Sequence, residues 1–179
     1  MKTYAIPRTD LVVSRIAYGC MQIGGTWDHV PLSAEIEQKA DAVVRAALEV
    51  GINFFDHADI YTCGKSETVF GRLLARQHGL RDRLVLQSKV GIRFPHDAYL
   101  SGEPARYDFS RAHIVRSTEA ILQRLGTDRL DLLLLHRPDP LGEPEEVAAA
   151  FDELHGAGKV RHFGVSNHTA AQLELLRRH

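Results

Sequence analysis

The chain has 179 residues, of which 44% are hydrophobic and 25% are charged, and its formal net charge is −1. This length and composition predict one globular domain over residues 1–179 with a sizeable core, and they argue against a disordered chain. The near-neutral charge gives no electrostatic reason to expect nucleic acid or a membrane surface as a partner.

The sequence contains no recognisable targeting or membrane segment. Residues 1–10 lack the apolar run of a secretory signal peptide, and no stretch approaches the length of a membrane span. Cys20 and Cys63 are too few and too far apart for a disulfide framework or a zinc module, so we expect free thiols. These features predict a cytoplasmic protein.

The chain begins with a predicted hairpin and continues as alternating strands and helices. Turn-forming residues 7–10 lie between two short stretches, which predicts a hairpin over residues 2–14. Apolar runs predict buried strands at residues 15–19, 53–56, 84–90, 130–136 and 160–165. Residues that favour helix starts are Ser33, Ser66, Asp108 or Ser110, Pro144 and Thr169. The apolar face of the first helix is expected to contain Ile36, Ala40, Val43, Ala47 and Leu48.

Between the third strand and the third helix, residues 91–109 are predicted to form an irregular loop. Its aromatic and proline residues are Phe94, Pro95, Tyr99, Pro104 and Tyr107. A loop of this length at the carboxyl edge of a sheet is either a lid over a substrate or a surface excursion. The aromatic residues favour the lid.

The alternation of strands with helices predicts parallel strands joined by right-handed crossovers. Spacing alone does not separate an open, doubly wound sheet from a closed barrel. The first strand is not followed by a Gly-x-Gly-x-x-Gly turn, which argues against a dinucleotide-binding Rossmann unit. The barrel is therefore the favoured architecture.

Three of the predicted strands end in a group that can carry a proton. The second strand ends at Asp56, the third at Lys89 and the fourth at His136, while Tyr61 follows shortly after the second. In a parallel α/β sheet, catalytic groups are assembled at the carboxyl edge of the strands. This shared placement is the functional signal in the sequence.

Together these four groups suit the protonation of a carbonyl oxygen. A lysine cation close to Tyr61 would favour the phenolate and make the phenol a better acid, and a carboxylate beside the lysine would hold the ammonium in place. His136 would add a second hydrogen bond that orients the substrate oxygen. Because the set contains no hydride source, a reduction would require a bound nicotinamide.

Each of these residues also has a purely structural interpretation. Tyr61 could be an aromatic residue at a rim, Lys89 and Asp56 a structural ion pair, and His136 a buried histidine bonded to backbone. Asp56, His57, Asp59 and His136 include metal-ligand types, so metal-dependent hydrolysis is an alternative. Strand alternation sends Asp56 and His57 to opposite faces, however, and no metal site is predicted.

Four motifs in order give the sequence a resemblance to the aldo-keto reductase family. The first motif is residues 51–61, followed by Ser66, Glu67 and Gly71, and the second is Ser88 with Lys89. The third motif is residues 134–140, and the fourth is residues 158–167. The branch that it resembles is bacterial and reads Asp-His-Ala-Asp-Ile-Tyr and His-Arg-Pro-Asp-Pro at two of these motifs.

The resemblance implies NADPH-dependent reduction of an aldehyde or ketone on a (β/α)8 TIM barrel whose floor is closed by an N-terminal hairpin. It implies that Tyr61 is the general acid, that Lys89 and Asp56 tune it, and that His136 orients the carbonyl substrate. The residues that it implies at the NADPH/NADP+ site are Gly19, Cys20, Met21, Asp56, Ser166 and Asn167.

A complete barrel of this kind has eight strands and typically about 250 residues, so we expect this chain to be an N-terminal portion with about five βα units. Such an incomplete barrel would have open sheet edges, which favour self-association, and the chain alone could be inactive. A non-catalytic subunit that binds a nicotinamide nucleotide or regulates a partner is the alternative function.

Overall fold

The structure is a computed structural model that describes residues 1–94 and 104–178. The strands are β1 (Thr3–Ala5), β2 (Val12–Ser14), β3 (Tyr18–Gly19), β4 (Phe54–Asp56), β5 (Val85–Val90), β6 (Ile92–Arg93), β7 (Arg106–Tyr107), β8 (Leu130–Leu135) and β9 (Val160–Val165). The α-helices are α1 (Ala34–Glu49), α2 (Lys65–Arg76), α3 (Arg111–Leu125), α4 (Pro144–Gly156) and α5 (Ala170–Arg177). Short 3₁₀ turns cover Tyr61–Gly64 and Arg81–Arg83.

The central sheet has five strands in the order β3-β4-β5-β8-β9, and all neighbouring pairs are parallel. One helix, from α1 to α4 in order, lies in each of the four connections between these strands. In the connection between β5 and β8, the β6–β7 ribbon precedes α3. The predicted α/β architecture with a parallel sheet is therefore confirmed. The N-terminal hairpin of β1 and β2 is confirmed as well.

The largest core cluster lies between the sheet and the helices. Fully buried Phe55 and Leu86 from the strands pack in the same cluster as Phe70 and Ile114 from α2 and α3. A second, smaller cluster joins the hairpin to the sheet, because Leu11, Val13 and Val85 are buried together. The hairpin thereby packs against the amino end of β5. No helix in the described part of the chain combines the length and apolar character that a membrane crossing needs.

The expected first buried strand at residues 15–19 is wrong in extent. Only Tyr18–Gly19 pairs with β4, and Ile16 is exposed. Arg15 donates its backbone N–H to the Lys2 carbonyl oxygen at 3.0 Å, which continues the hairpin ladder. The preceding residues therefore extend the hairpin instead of the central sheet.

Two details of the first two helices differ from the predictions. In α1, capped by Ser33, the buried positions are Ala40, Val44 and Ala47, whereas Val43 is exposed. The apolar row thus runs through steps of four and three residues, one position away from Val43. Helix α2 begins at Lys65 after a left-handed Gly64, so Ser66 is not its cap. Instead, the buried Ser66 hydroxyl lies 2.9 Å from the Thr62 hydroxyl.

The stretch predicted as irregular between the third strand and the third helix has order at both ends. Strands β6 and β7 pair antiparallel, with Ile92 opposite Tyr107. Phe109 is buried and packs against Gly91, which has a φ of 104°. A Cβ at Gly91 would lie 2.5 Å from the Phe109 ring. Pro95 and Tyr99 lie outside the described residues. The third helix starts after Ser110, as predicted.

Candidate active site

The strand register brings the three predicted strand-end groups to one face of the sheet. Asp56 in β4 is paired with Gln87 in β5, and Lys89 is paired with Leu134 in β8. Side chains two residues apart on a strand share a face, and paired residues of parallel neighbours point the same way. Asp56, Gln87, Lys89 and His136 therefore project together at the carboxyl edge.

Lys89 is the centre of this group. Its side chain is buried, and its Nζ lies 2.6 Å from Asp56 Oδ1, 2.8 Å from the His57 carbonyl oxygen and 3.0 Å from the Tyr61 hydroxyl oxygen. Gln87 Nε2 also donates to Asp56 Oδ1 at 2.6 Å, which fixes the carboxylate. A buried cation is costly unless it is paired, and here the carboxylate and the carbonyl supply that compensation.

Tyr61 lies at the start of the 3₁₀ turn after β4 and reaches back over the end of the sheet. Its ring meets the His136 ring edge to face with the centroids 5.9 Å apart, and Trp27 approaches it at 6.4 Å. Lys89 Nζ is 4.8 Å from the Tyr61 ring centroid. The structure therefore brings the four predicted catalytic side chains into one cluster.

His136 is nearly buried and neutral at physiological pH. Burial, followed by the charges of Lys89 and Arg137, lowers the pKa of His136 to about 4. Its Nδ1 atom is buried and has no hydrogen-bond partner among the described residues. A neutral imidazole has one N–H donor and one acceptor nitrogen, so His136 can donate a hydrogen bond without carrying a charge.

These side chains open into a cavity of about 730 Å³ at the carboxyl edge. Aromatic and apolar side chains form part of its wall, namely those of Met21, Trp27, Ile60, Ile92, Phe94 and Tyr107. Polar side chains in the wall include those of Asp56, Tyr61, Lys89, His136, Arg137, Ser166 and Asn167. The site therefore combines an apolar wall with a small set of convergent polar groups, which is typical of small-molecule sites.

Only some of the residues predicted to contact a cofactor line the cavity. Ser166 and Asn167 line the cavity after β9, and Asn167 Nδ2 donates to the His136 carbonyl oxygen at 2.9 Å. Met21 lines the cavity, whereas Cys20 is fully buried beneath it, and burial raises the pKa of its thiol. The Cys20 backbone N–H donates to the Asp56 carbonyl oxygen at 2.9 Å, which ties this loop to β4. Gly19 lies at the end of β3, opposite Asp56.

Several residues that shape the site were not singled out from the sequence. Gln87 shares a face with Lys89, and its two-residue spacing was a signal that could have found it. Arg137 follows His136 directly, and this adjacency was a second signal. Trp27 approaches Phe94, one of the aromatic residues of the predicted lid loop, at 6.5 Å from a separate loop. Such loop contacts leave no periodic trace in the sequence.

The residues considered for a metal site do not converge. His57 is fully buried on the helix side of β4, where its ring meets Phe70 at 4.7 Å, and burial lowers its pKa to about 3. The Asp59 carboxyl group is also buried, and this burial raises its pKa well above the ordinary value. Across residues 1–94 and 104–178, the structure contains no group of three or more potential metal ligands.

The fold and the site define a class: α/β proteins that hold a lysine-bound tyrosine at the carboxyl edge of a parallel sheet. A family model described as the aldo/keto reductase family matches residues 15–179, and the chain belongs to this family. The resemblance found in the motifs is thereby confirmed.

Known relatives and a solved structure agree with this assignment. The chain is 49% identical to Oxidoreductase YdhF of Escherichia coli over 129 residues, which are 72% of this chain and 43% of the relative. It is 41% identical to the 6-dehydroglucose reductase of Agrobacterium fabrum over 166 residues, which are 93% and 54% of the two chains. The glycerol dehydrogenase of Gluconobacter oxydans superposes with a TM-score of 0.82 at 31% identity, covering 98% of this chain and 51% of that one.

The chain thus spans about half the length of the curated relatives that it matches. The structural similarity confirms the expected TIM-barrel fold class, and the five parallel strands with their helices form part of such a barrel.

Proposed function

We propose that the protein is an oxidoreductase that reduces an aldehyde or a ketone with NADPH, and that Tyr61 is the general acid. Membership of the aldo/keto reductase family supports the reaction class. One observation carries the assignment of Tyr61: its hydroxyl oxygen lies 3.0 Å from the ammonium of Lys89, which is itself 2.6 Å from Asp56.

The geometry suits a proton transfer from Tyr61 to the substrate oxygen. As the carbonyl is reduced, its oxygen becomes an alkoxide and takes up a proton. The Lys89 cation stabilises the negative charge that remains on the Tyr61 oxygen, and the Asp56 carboxylate keeps the ammonium in place. Neutral His136 can donate a hydrogen bond to the same substrate oxygen, which orients it and stabilises its developing charge.

The residues after β9 fit a nicotinamide carboxamide. A carboxamide needs both a donor and an acceptor, and Ser166 and Asn167 offer a hydroxyl and an amide at the cavity wall. Asn167 is held in a left-handed conformation, with a φ of 62°, by its bond to the His136 carbonyl oxygen. When bound there, NADPH would supply the hydride. The family generally uses NADH or NADPH, and the choice of NADPH is part of the proposal.

The test is an NADPH oxidation assay with a panel of aldehydes and ketones, together with Tyr61→Phe. A positioned general acid contributes about 10²- to 10⁴-fold to a rate. We therefore expect Tyr61→Phe to lower kcat by at least about 100-fold and to leave the Kd for NADPH nearly unchanged. Tyr4→Phe is the matched control, because Tyr4 is exposed on the hairpin.

An unchanged rate in Tyr61→Phe would remove this residue from the mechanism. NADPH binding without turnover of any carbonyl in the panel would favour the alternative of a non-catalytic, nucleotide-binding subunit. Because the chain spans about half of its curated relatives, both the 179-residue chain and the full product of its gene are assayed.

A further inference from the structure

We propose that the carbonyl substrate carries an anionic oxygen group, a carboxylate or a phosphate, and that Arg137 binds this group at the mouth of the active-site cavity. This inference deepens the proposed function and rests on it, because it names the substrate class of the same site.

Arg137 is placed where a substrate would extend from the reacting carbonyl. It directly follows His136 at the carboxyl end of β8, and it lines the same cavity as Tyr61 and Lys89. Its charge also reaches the imidazole of His136, since Arg137 is one of the cations that lower the pKa of that histidine. A group bound by Arg137 therefore lies beside the proposed catalytic cluster.

The charge of Arg137 is not balanced by a neighbouring carboxylate in the described part of the chain. Lys89, deeper in the cavity, is paired with Asp56 at 2.6 Å. Arg93 in β6 is paired with Asp108 at 2.7 Å. Arg137, by contrast, makes no hydrogen bond or ion pair with residues 1–94 or 104–178, and its side chain is exposed at the cavity mouth. The cavity wall thus contains a cation that is available to an anionic ligand.

A guanidinium group fits an anionic oxygen group in both charge and shape. Its planar fork of N–H donors binds a carboxylate or a phosphate through two parallel hydrogen bonds. The aromatic side chains of Trp27 and Tyr107 are 46% and 42% exposed at the same cavity, so they can contact the rest of the ligand. The expected substrate therefore has its carbonyl and its anion joined by a short apolar or aromatic spacer.

The kinetic test uses pairs of aldehydes that differ mainly in charge. The first pair is 4-carboxybenzaldehyde and methyl 4-formylbenzoate, and the second is succinic semialdehyde and butanal. Glyceraldehyde 3-phosphate and glyceraldehyde form a third pair, which distinguishes phosphate from carboxylate. We expect kcat/KM to favour the anionic member of a pair by about tenfold, which corresponds to about 1.4 kcal/mol. The preference should shrink as salt is added, because an exposed ion pair is screened.

The variant Arg137→Gln should abolish the preference, mainly by raising KM for the anionic aldehyde while its neutral partner is hardly affected. Arg137→Lys should restore part of it, since the charge remains and the fork is lost. Arg83→Gln is the matched control, because Arg83 is exposed in the turn that precedes β5 and lies outside the cavity lining.

Three kinetic results would overturn the proposal. An equal loss on both members of every pair would mean that Arg137 acts only through His136, and an unchanged preference would mean that it binds no anion. A strong preference of the wild type for neutral aldehydes, sugar aldehydes included, would also contradict it.

A binding measurement separates failure of this proposal from failure of the proposed function. Trp27 is the single tryptophan of the chain and lines the cavity, so its fluorescence reports ligands there. If no carbonyl is reduced, 4-(hydroxymethyl)benzoate is compared with 1,4-benzenedimethanol. Tighter binding of the benzoate, lost in Arg137→Gln, would support the anion site although the reductase function had failed. Equal binding of both ligands would reject the anion site.

Discussion

The two edges of the central sheet both contain charged side chains, but they use them differently. At the amino edge, buried Asp131 accepts hydrogen bonds from the Leu86 N–H at 2.9 Å and from Arg161 at 2.7 Å, and Arg81 lies 3.0 Å away. Asp10 in the hairpin turn pairs with Arg161 and also bonds His162 at 2.9 Å. These charged groups bind one another and fasten the hairpin to the sheet.

At the carboxyl edge, the pairing is incomplete. Lys89 and Asp56 are paired, but His136 Nδ1 is buried without a partner and Arg137 lacks an ion pair within the described residues. Arg137 is exposed and lines the cavity, so its charge is available to a ligand, whereas the buried Nδ1 atom of His136 is not. The charged groups of the amino edge therefore stabilise the fold, and the carboxyl edge leaves a charged group available for binding.

The largest effect on folding is expected from Asp131→Ala at the amino edge. Removing the carboxylate leaves Arg81 and Arg161 without their buried partner and the Leu86 N–H without an acceptor. Breaking a buried ion pair in this way typically costs about 3–5 kcal/mol. We expect a loss of this size in the free energy of unfolding, measured by urea titration with circular dichroism.

The control for this variant is Asp131→Asn, which keeps an acceptor for the Leu86 N–H and should cost less. At the carboxyl edge, Lys89→Met should lower turnover severely and cost less stability than Asp131→Ala, because Asp56 is partly exposed and keeps its hydrogen bond from Gln87. If Lys89→Met destabilised the fold as strongly as Asp131→Ala, the carboxyl edge would contribute as much to stability as the amino edge.

The features of the carboxyl edge that depend on local sequence pattern could be predicted from the sequence. Strand alternation and strand ends were enough to place Asp56, Lys89 and His136 on one edge, because the side-chain period of a strand fixes the face. Tyr61 was also found from the sequence, although its contact with Lys89 depends on a 3₁₀ turn that was not predicted.

Other features depend on contacts between distant parts of the chain. Val43 and Val44 are neighbours of the same type, so only packing against the sheet decides which one is buried. Ser66 was taken for a helix cap because serine favours that position, but its hydroxyl bonds Thr62 within the structure. The Asp131 network joins β5, β8 and β9 with the turn before β5, and no local pattern encodes it.

A smaller effect on stability is expected from the protonation of His136 at the carboxyl edge. Burial lowers the pKa of His136 to about 4, so the folded protein keeps this imidazole neutral above that pH. An unfolded histidine ordinarily titrates at 6.5. As the pH falls from 6.5 towards 4, the unfolded state takes up a proton first, and the contribution of His136 to stability decreases.

The measurement is an NMR titration of the His136 imidazole, with an expected midpoint at about 4. Lys89→Met and Arg137→Gln should both raise the pKa of His136, because each removes a cation that disfavours the imidazolium. Arg83→Gln should leave it unchanged. A midpoint near 6.5 in the wild type would mean that the carboxyl edge is more hydrated than its burial indicates.

The smallest effect is expected from Asp10→Asn in the hairpin turn. Its hydrogen bond with His162 and the charge of Arg161 lower the pKa of Asp10, but the side chain is largely exposed and water screens the pair. A carboxyl group with a lowered pKa stabilises the fold above its ordinary pKa of 3.8, and this stabilisation is lost as the pH falls through the lowered value. Asp10→Asn should therefore lower Tm slightly at pH 7, and the difference should vanish in acid. If instead Asp10→Asn reduced Tm as much as Asp131→Ala, the exposed contacts of the hairpin would matter as much as the buried network beneath it.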